Sequence, residues 1–137
     1  MKLPSFWGGI HPPQKKDKTA NKKIEEYLPK GELVFPMAQS LGAPCQPVVK
    51  KGDRVLLGQK LGDSEAFVSA PVLSSISGTV KEIGLRMTSA GIYENCVIVE
   101  NDGLYEKDPS WSPIENYLEA DPKEYLKRIR EAGIVGF

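Results

Sequence analysis

Apolar positions change their period along the chain. Over residues 32–105 they come in short clusters, several of them alternating with polar residues, the two-residue period of a strand with one covered face. Leu33, Phe35 and Met37 alternate with Val34 and Pro36, which predicts a strand end or an edge strand, since proline cannot donate to a ladder. Val48–Val49, Val55–Leu57, Leu61, Phe67–Val68 and Val72–Leu73 predict further short strands. Lys51-Gly52-Asp53 and Leu57-Gly58-Gln59 read as turns between them. Ser77-Gly78 reads as another turn and Thr79–Ile83 alternates again. Cys96–Val99 is the last clear strand before Asn101-Asp102-Gly103 closes it. Turns at roughly 8–12-residue intervals predict a small sandwich or barrel.

Both ends depart from this pattern. Residues 110–133 read as helical. Ser112-Pro113-Ile114-Glu115 is a capping box with proline at the first helical position, and Asp121-Pro122-Lys123-Glu124 repeats the device. Tyr125, Leu126, Ile129 and Ala132 then share one face, and Gly133 suits the cap, so a helix is expected near 122–132. Residues 1–30 read as an extended arm. Phe6-Trp7-Gly8-Gly9-Ile10-His11-Pro12-Pro13 crowds aromatics, glycines and prolines together, a poor helix and a poor strand. Ile24–Leu28 predicts one helical turn before Pro29 and Gly31. The apolar Ile134-Val135-Gly136-Phe137 directly after a helix stop suggests a piece of a longer polypeptide.

Composition narrows the function. Lys and Arg total 18, as do Asp and Glu, so the net charge is zero, against the cationic excess that phosphate neutralisation demands of a nucleic-acid binder. No apolar run is long enough to span a bilayer. Glycine and proline supply 24 of 137 residues, above the usual ~12%, in keeping with many turns. Charge is mildly uneven, positive over residues 1–30 and negative over 101–137, and reads as solvated surface. Two cysteines, Cys45 and Cys96, form no C-x-x-C pair. They read as small buried hydrophobes, and cannot supply the roughly four ligands of an iron–sulfur cluster. The single histidine, His11, has no ligand cluster beside it and reads as structural. Phosphate-binding glycine loops and a G-x-S-x-G elbow are absent. The sequence thus carries no complete catalytic constellation.

One spacing is sharper. Gly52-Asp53-Arg54-Val55, then Gly58 and Leu61, then Ser77-Gly78-Thr79-Val80 resemble the order found in the hammerhead of biotinyl/lipoyl-type barrel-sandwich hybrids. In those carriers a lysine at the hairpin tip takes the prosthetic group. Here no lysine lies between Lys60 and Lys81, and the tip, Ser64–Ala70, offers no amine. The attachment chemistry is missing even where the fold matches.

A closer resemblance covers nearly the whole chain. Gly8-Gly9-Ile10-His11-Pro12, Gln39 with Leu41-Gly42-Ala43-Pro44, Pro47–Val55, Gly58-Gln59, Ser69-Ala70-Pro71-Val72 and Ser77-Gly78-Thr79-Val80 are similar to the RnfC family, a peripheral component of the Rnf electron-transport complex. Family members often carry histidine where this chain has Ser40 and Leu73. The resemblance implies a mainly β fold, a barrel-sandwich hybrid with an N-terminal arm (1–30), a barrel domain (31–107) and a helical connector (108–137). The connector would lead into a flavin- and NADH-binding domain. It implies that Gly133 and Gly136 open that domain's glycine-rich loop, and that FMN, NAD(H) and two [4Fe–4S] clusters belong to the full-length protein, none to this stretch. Implied partners are the other subunits of a membrane complex and the chain's own flavin domain, at the cytoplasmic face of a bacterial or archaeal membrane. The expected role is docking and structure within a ferredoxin:NAD oxidoreductase that moves ions, with no catalysis by this stretch alone. Two alternatives stay open: a carrier-type domain lacking its lysine, and a stand-alone binding module using Trp7, Trp111 or Tyr117.

Overall fold

The computed structural model describes residues 12–135. Seven strands and one helix follow in order: β1 (Glu32–Pro36), β2 (Gln46–Pro47), β3 (Arg54–Val55), β4 (Lys60–Asp63), β5 (Val72–Leu73), β6 (Gly78–Met87), β7 (Tyr93–Asn101) and α1 (Pro122–Glu131). They form a four-stranded sheet ordered β1-β7-β6-β3 and a three-stranded sheet ordered β2-β4-β5. The core is the space between the two sheets. Phe35, Val55, Val80, Val97 and Val99 from one sheet meet Leu61 and Val72 from the other, with Met37, Cys45 and Ile76 from the connecting loops. This is the mainly β fold expected from the two-residue period.

β1 is the sheet edge that Pro36 predicts. Phe35 and Met37 are buried while Val34 is half exposed, the alternation of a strand covered on one face. The turns at Lys50–Asp53 and Leu56–Gln59 close through i to i+3 backbone bonds of 3.1 and 3.0 Å.

Several expectations fail, each for a local reason. Thr79–Ile83 does not alternate strictly: the pairing with β7 shifts between Val80 and Glu82. That bulge brings Val80 and Ile83, three residues apart, onto the core face opposite Val99 and Val97. Ser77-Gly78 is no free turn. Gly78 begins β6, and a Cβ there would overlap the Glu100 carbonyl oxygen, so glycine is required for close approach of two backbones. Phe67–Val68 forms no strand; both side chains point to solvent in the loop joining β4 to β5. The capping box at Ser112–Glu115 leads only into turns over 115–119, where Asn116 takes a left-handed φ of 50°, and the helix starts at the second box. A short stretch whose apolar side chains find no buried face cannot offset helix nucleation. The same reasoning covers Ile24–Leu28, which forms no helical turn and leaves Ile24 and Tyr27 exposed to water.

The expected helix forms over Pro122–Glu131. Asp121 Oδ1 accepts from the Lys123 amide at 2.8 Å, and proline occupies the first turn, where its missing donor costs nothing. At the other end the Gly133 amide reaches the Arg130 carbonyl at 2.9 Å and the Ile134 amide reaches that of Ile129 at 3.2 Å. Gly133 takes φ 65°, the left-handed turn that completes this paired cap.

Candidate docking site

The hairpin joining β4 to β5 stands where a carrier domain would present its lysine. Its loop is braced by its own serines. Ser69 Oγ donates to the Ala66 carbonyl at 2.7 Å, and the Ala66 amide donates to Ser64 Oγ at 3.2 Å. The preceding loop is tied on through the Ala43 amide and the Val68 carbonyl at 3.0 Å. Held this way, Phe67 is fully exposed, and Leu41 and Val68 are largely exposed. The loop is therefore braced and presents exposed apolar side chains, with no amine on it to take a prosthetic group.

The lysines that flank the hairpin in sequence are also committed. Lys60 Nζ pairs with Asp63 Oδ2 at 2.7 Å, and Lys81 pairs with Glu32 across the sheet. Asp63 binds Arg130 Nη2 as well, at 3.0 Å through its other oxygen. Burial works to raise its pKa. Donors from Lys60, the Ser64 amide and Arg130 outweigh that and hold the carboxyl down to about 2. The same Arg130 nitrogen donates to the Ser64 carbonyl at 2.8 Å, so one arginine fastens α1 to the base of the hairpin.

A second cluster locks the end of the barrel. Arg54 donates to Asp102 and Glu106, each at 2.8 Å. The buried Ser77 hydroxyl donates to Asp102 at 2.7 Å and accepts from the Glu106 amide at 3.0 Å. The Leu104 amide, the Ser77 hydroxyl and Arg54 hold Asp102 below the usual carboxylate range. Here the Gly-Asp-x-Val and Ser-Gly-x-Val pieces, distant in sequence, meet through Arg54 and Ser77. The signal for this contact was the pair of motifs; the partners Asp102 and Glu106 had none.

The cysteines are inert. Cys45 is buried in the core with its Sγ 3.0 Å from the Ala70 carbonyl. Cys96 is buried on the outer face of β7. It pairs with Gly84, over which the Glu82–Arg86 ion pair at 2.6 Å closes. Burial pushes both thiols up, away from the reactive thiolate. Neither site fits an iron–sulfur cluster, and among the described residues no group of three or more His, Cys, Asp or Glu could hold a metal ion. Gly133 lies against Pro71, whose carbonyl oxygen would be 2.9 Å from an added Cβ, and its amide is taken up by the helix cap. His11, Trp7 and Gly136 lie outside the described residues. Trp111 Nε1 donates to the Gly58 carbonyl at 2.9 Å and walls an apolar cavity of about 310 Å3 with Leu57, Leu73 and Ala132, whereas Tyr117 stands in solvent. No helix among the described residues is long and apolar enough to cross a membrane.

Sequence comparison supplies the family. A family model described as the RnfC barrel sandwich hybrid domain matches residues 4–104. The chain is 40% identical over 136 residues to a subunit of the Na(+)-translocating ferredoxin:NAD(+) oxidoreductase complex of Acetobacterium woodii, covering 99% of this chain and 31% of that protein. It is 42% identical over 134 residues to a subunit of the proton-translocating ferredoxin:NAD(+) oxidoreductase complex of Clostridium ljungdahlii, covering 98% and 29%. A subunit of an ion-translocating oxidoreductase complex of Haemophilus influenzae is 33% identical over 141 residues, covering 98% and 21%. The chain therefore spans under a third of the length of these relatives, each of which is named as one subunit of a complex. With residues 4–104 matched and relatives above 30% identity aligned across almost all of it, this chain belongs to the RnfC barrel sandwich hybrid domain family.

Proposed function

We propose that the chain is the N-terminal docking domain of the RnfC-type subunit in an ion-translocating ferredoxin:NAD oxidoreductase. The supporting observation is the 40% identity, over 136 residues, to a subunit of such a complex from Acetobacterium woodii. The barrel's contribution is mechanical. Its tip carries no amine, its thiols are buried and the lysines that flank the hairpin in sequence are ion-paired, so it orients other parts. On this reading it is a rigid platform that sets a flavin- and NADH-binding domain against neighbouring subunits, so that redox centres come within transfer distance. FMN, NAD(H) and two [4Fe–4S] clusters then belong to the remainder of the full-length subunit. The platform sits at the cytoplasmic face of a bacterial or archaeal membrane as a peripheral part of the complex.

Gly133 and Gly136 open the glycine-rich loop of that following domain. Gly133 would serve it by turning the chain out of α1, since its amide is already bonded within the cap. The arm, residues 1–30, reaches toward the flavin domain or a partner subunit. Its described part supports this, because Ile24 and Tyr27 have no cover from the barrel. The root of the arm is fixed by the Tyr105 hydroxyl and the Asn101 amide group, both donating to the Pro29 carbonyl at 2.6 Å.

The test is deletion of residues 1–13 from the full-length subunit. Loss of co-purification with the complex, with the barrel still folded, is expected. Unchanged assembly would count against the docking role. The purified 137-residue chain is expected to be colourless, and a stoichiometric flavin or cluster absorbance would overturn the assignment of cofactors to the remainder.

A further inference from the structure

The helix α1 is amphipathic, yet none of its residues is buried. Leu126, Ile129, Arg130 and Gly133 share one face by helical spacing. That face meets the barrel at its C-terminal end, where Gly133 lies against Pro71 and Arg130 binds Asp63 and the Ser64 carbonyl. One turn back it stands open: Leu126 is 67% exposed and Ile129 44%. Beside Arg130 runs an open groove of about 550 Å3 lined by Gln46, Val48, Asp63, Ser64 and Glu65. Val48 is itself more than half exposed. The cap at Gly133 commonly sets the residue at the Ile134 position beside the one at the Ile129 position, and Ile134 and Val135 are exposed too. The result is an apolar run, Leu126–Ile129–Ile134, on the helix whose Arg130 lines the groove.

We propose that this run and groove are the seat of the next part of the same polypeptide in the full-length subunit. The inference rests on the RnfC-type reading above and adds the surface through which the platform would fix its neighbour. Three observations favour that occupant over a separate chain. The matched relatives are about three times longer than this chain, so ample polypeptide is available. The backbone leaves the helix at Ile134–Val135 within this same apolar run, so a tethered neighbour acts at the millimolar effective concentration of a short linker. The groove's two acids, Asp63 and Glu65, are matched in number by Lys60 and Arg130, which leaves no net local charge to steer a free partner.

Hydrogen–deuterium exchange on the full-length subunit tests this, read at the amides of Tyr125–Glu131, alone and in the assembled complex. In the isolated subunit these amides should exchange at least ~10-fold more slowly than in the double variant Leu126→Glu/Ile129→Glu. The variant should leave the β6–β7 amides unchanged, which shows that the barrel remains folded. Lys127→Ala, on the polar side of the helix, should change nothing, and Leu126→Ser alone should give a smaller loss. Equal exchange in wild type and double variant would overturn the proposal. So would protection seen only after other subunits are added, which assigns the cover to a neighbour, or protection that grows with protein concentration, which assigns it to a second copy. Co-purification with the complex is scored separately. A subunit that assembles while α1 exchanges freely sinks this inference and leaves the RnfC-type reading standing; one whose α1 is protected but which joins no complex does the reverse.

Discussion

The barrel and its flanks solve the same problem in opposite ways. Between Glu32 and Asn101 the apolar side chains of the two sheets close on each other, and Val55, Leu61, Ile76, Val97 and Val99 are wholly out of water. Its polar groups are paired internally as well. Ser77, Asp102, Arg54 and Glu106 satisfy one another, and among the described residues no buried side-chain polar atom lacks a partner. The flanks invert this. Ile24, Tyr27, Leu118, Leu126 and Ile134 are apolar and exposed, on segments fastened at a few points only. A region with a closed core can serve as a platform, although its surface still keeps Leu41, Phe67 and Leu85 in water; exposed apolar side chains, there and on the flanks, are where a partner gains by covering apolar surface.

The contrast is sharpest in the core. Leu61→Ala should cost about 3 kcal/mol of unfolding free energy, because the site is fully buried between two sheets and collapses poorly. Chemical denaturation of the chain measures it, and a loss under about 1 kcal/mol would mean the core is looser than described. Gly78→Ala comes next, at about 2 kcal/mol, since the new methyl would drive β6 away from the Glu100 carbonyl. Its signature is faster amide exchange across the β6–β7 pair near Gly78. Ser77→Ala should cost about 1–2 kcal/mol by leaving the Glu106 amide and Asp102 without their buried partner, read from the same denaturation curves.

Acid provides a smaller probe of the barrel–helix junction. The folded-state pKa of Asp63 is about 2, below its ordinary 3.8, so its stabilisation is fully present above about pH 4 and is lost as pH falls from there toward 2. The size is about 1 kcal/mol at a partly wetted site. Asp63→Asn should flatten that part of the pH–stability curve, and an unchanged slope would show that Arg130 and Lys60 do not hold the carboxylate in solution. Smallest of all, Leu126→Ala should move the stability of this chain by less than ~0.5 kcal/mol, because the side chain touches little. A loss above about 1 kcal/mol would erase the distinction between platform and flank.

Much of the fold was legible because the two-residue period, the turn glycines and the second capping box each act locally. The strand at Leu33–Met37, the turns around Gly52 and Gly58 and the helix after Asp121 all depend on neighbours in sequence. The failures share a different cause. The bulge at Lys81 arises from matching β6 to β7, the role of Gly78 from the carbonyl of Glu100 on the neighbouring strand, and the exposure of Phe67 from a loop braced by Ser64 and Ser69. At the candidate site the missing hairpin amine was visible in sequence, whereas the tie from Arg130 to Asp63 was not, because 67 residues separate the pair.

By itself the sequence determined the class of fold, the absence of an attachment lysine at the hairpin tip and a helix near 122–132, which forms over Pro122–Glu131. Those follow from side-chain type and local spacing, which every conformation of the chain retains. Only the tertiary structure decided what is buried or paired and what is not: that the barrel buries both thiols and pairs Lys60, Lys81, Asp63 and Asp102, and that Phe67 and the apolar face of α1 stay in the open. Burial and ion pairing belong to distances between residues far apart along the chain, and those distances exist only once the two sheets have closed.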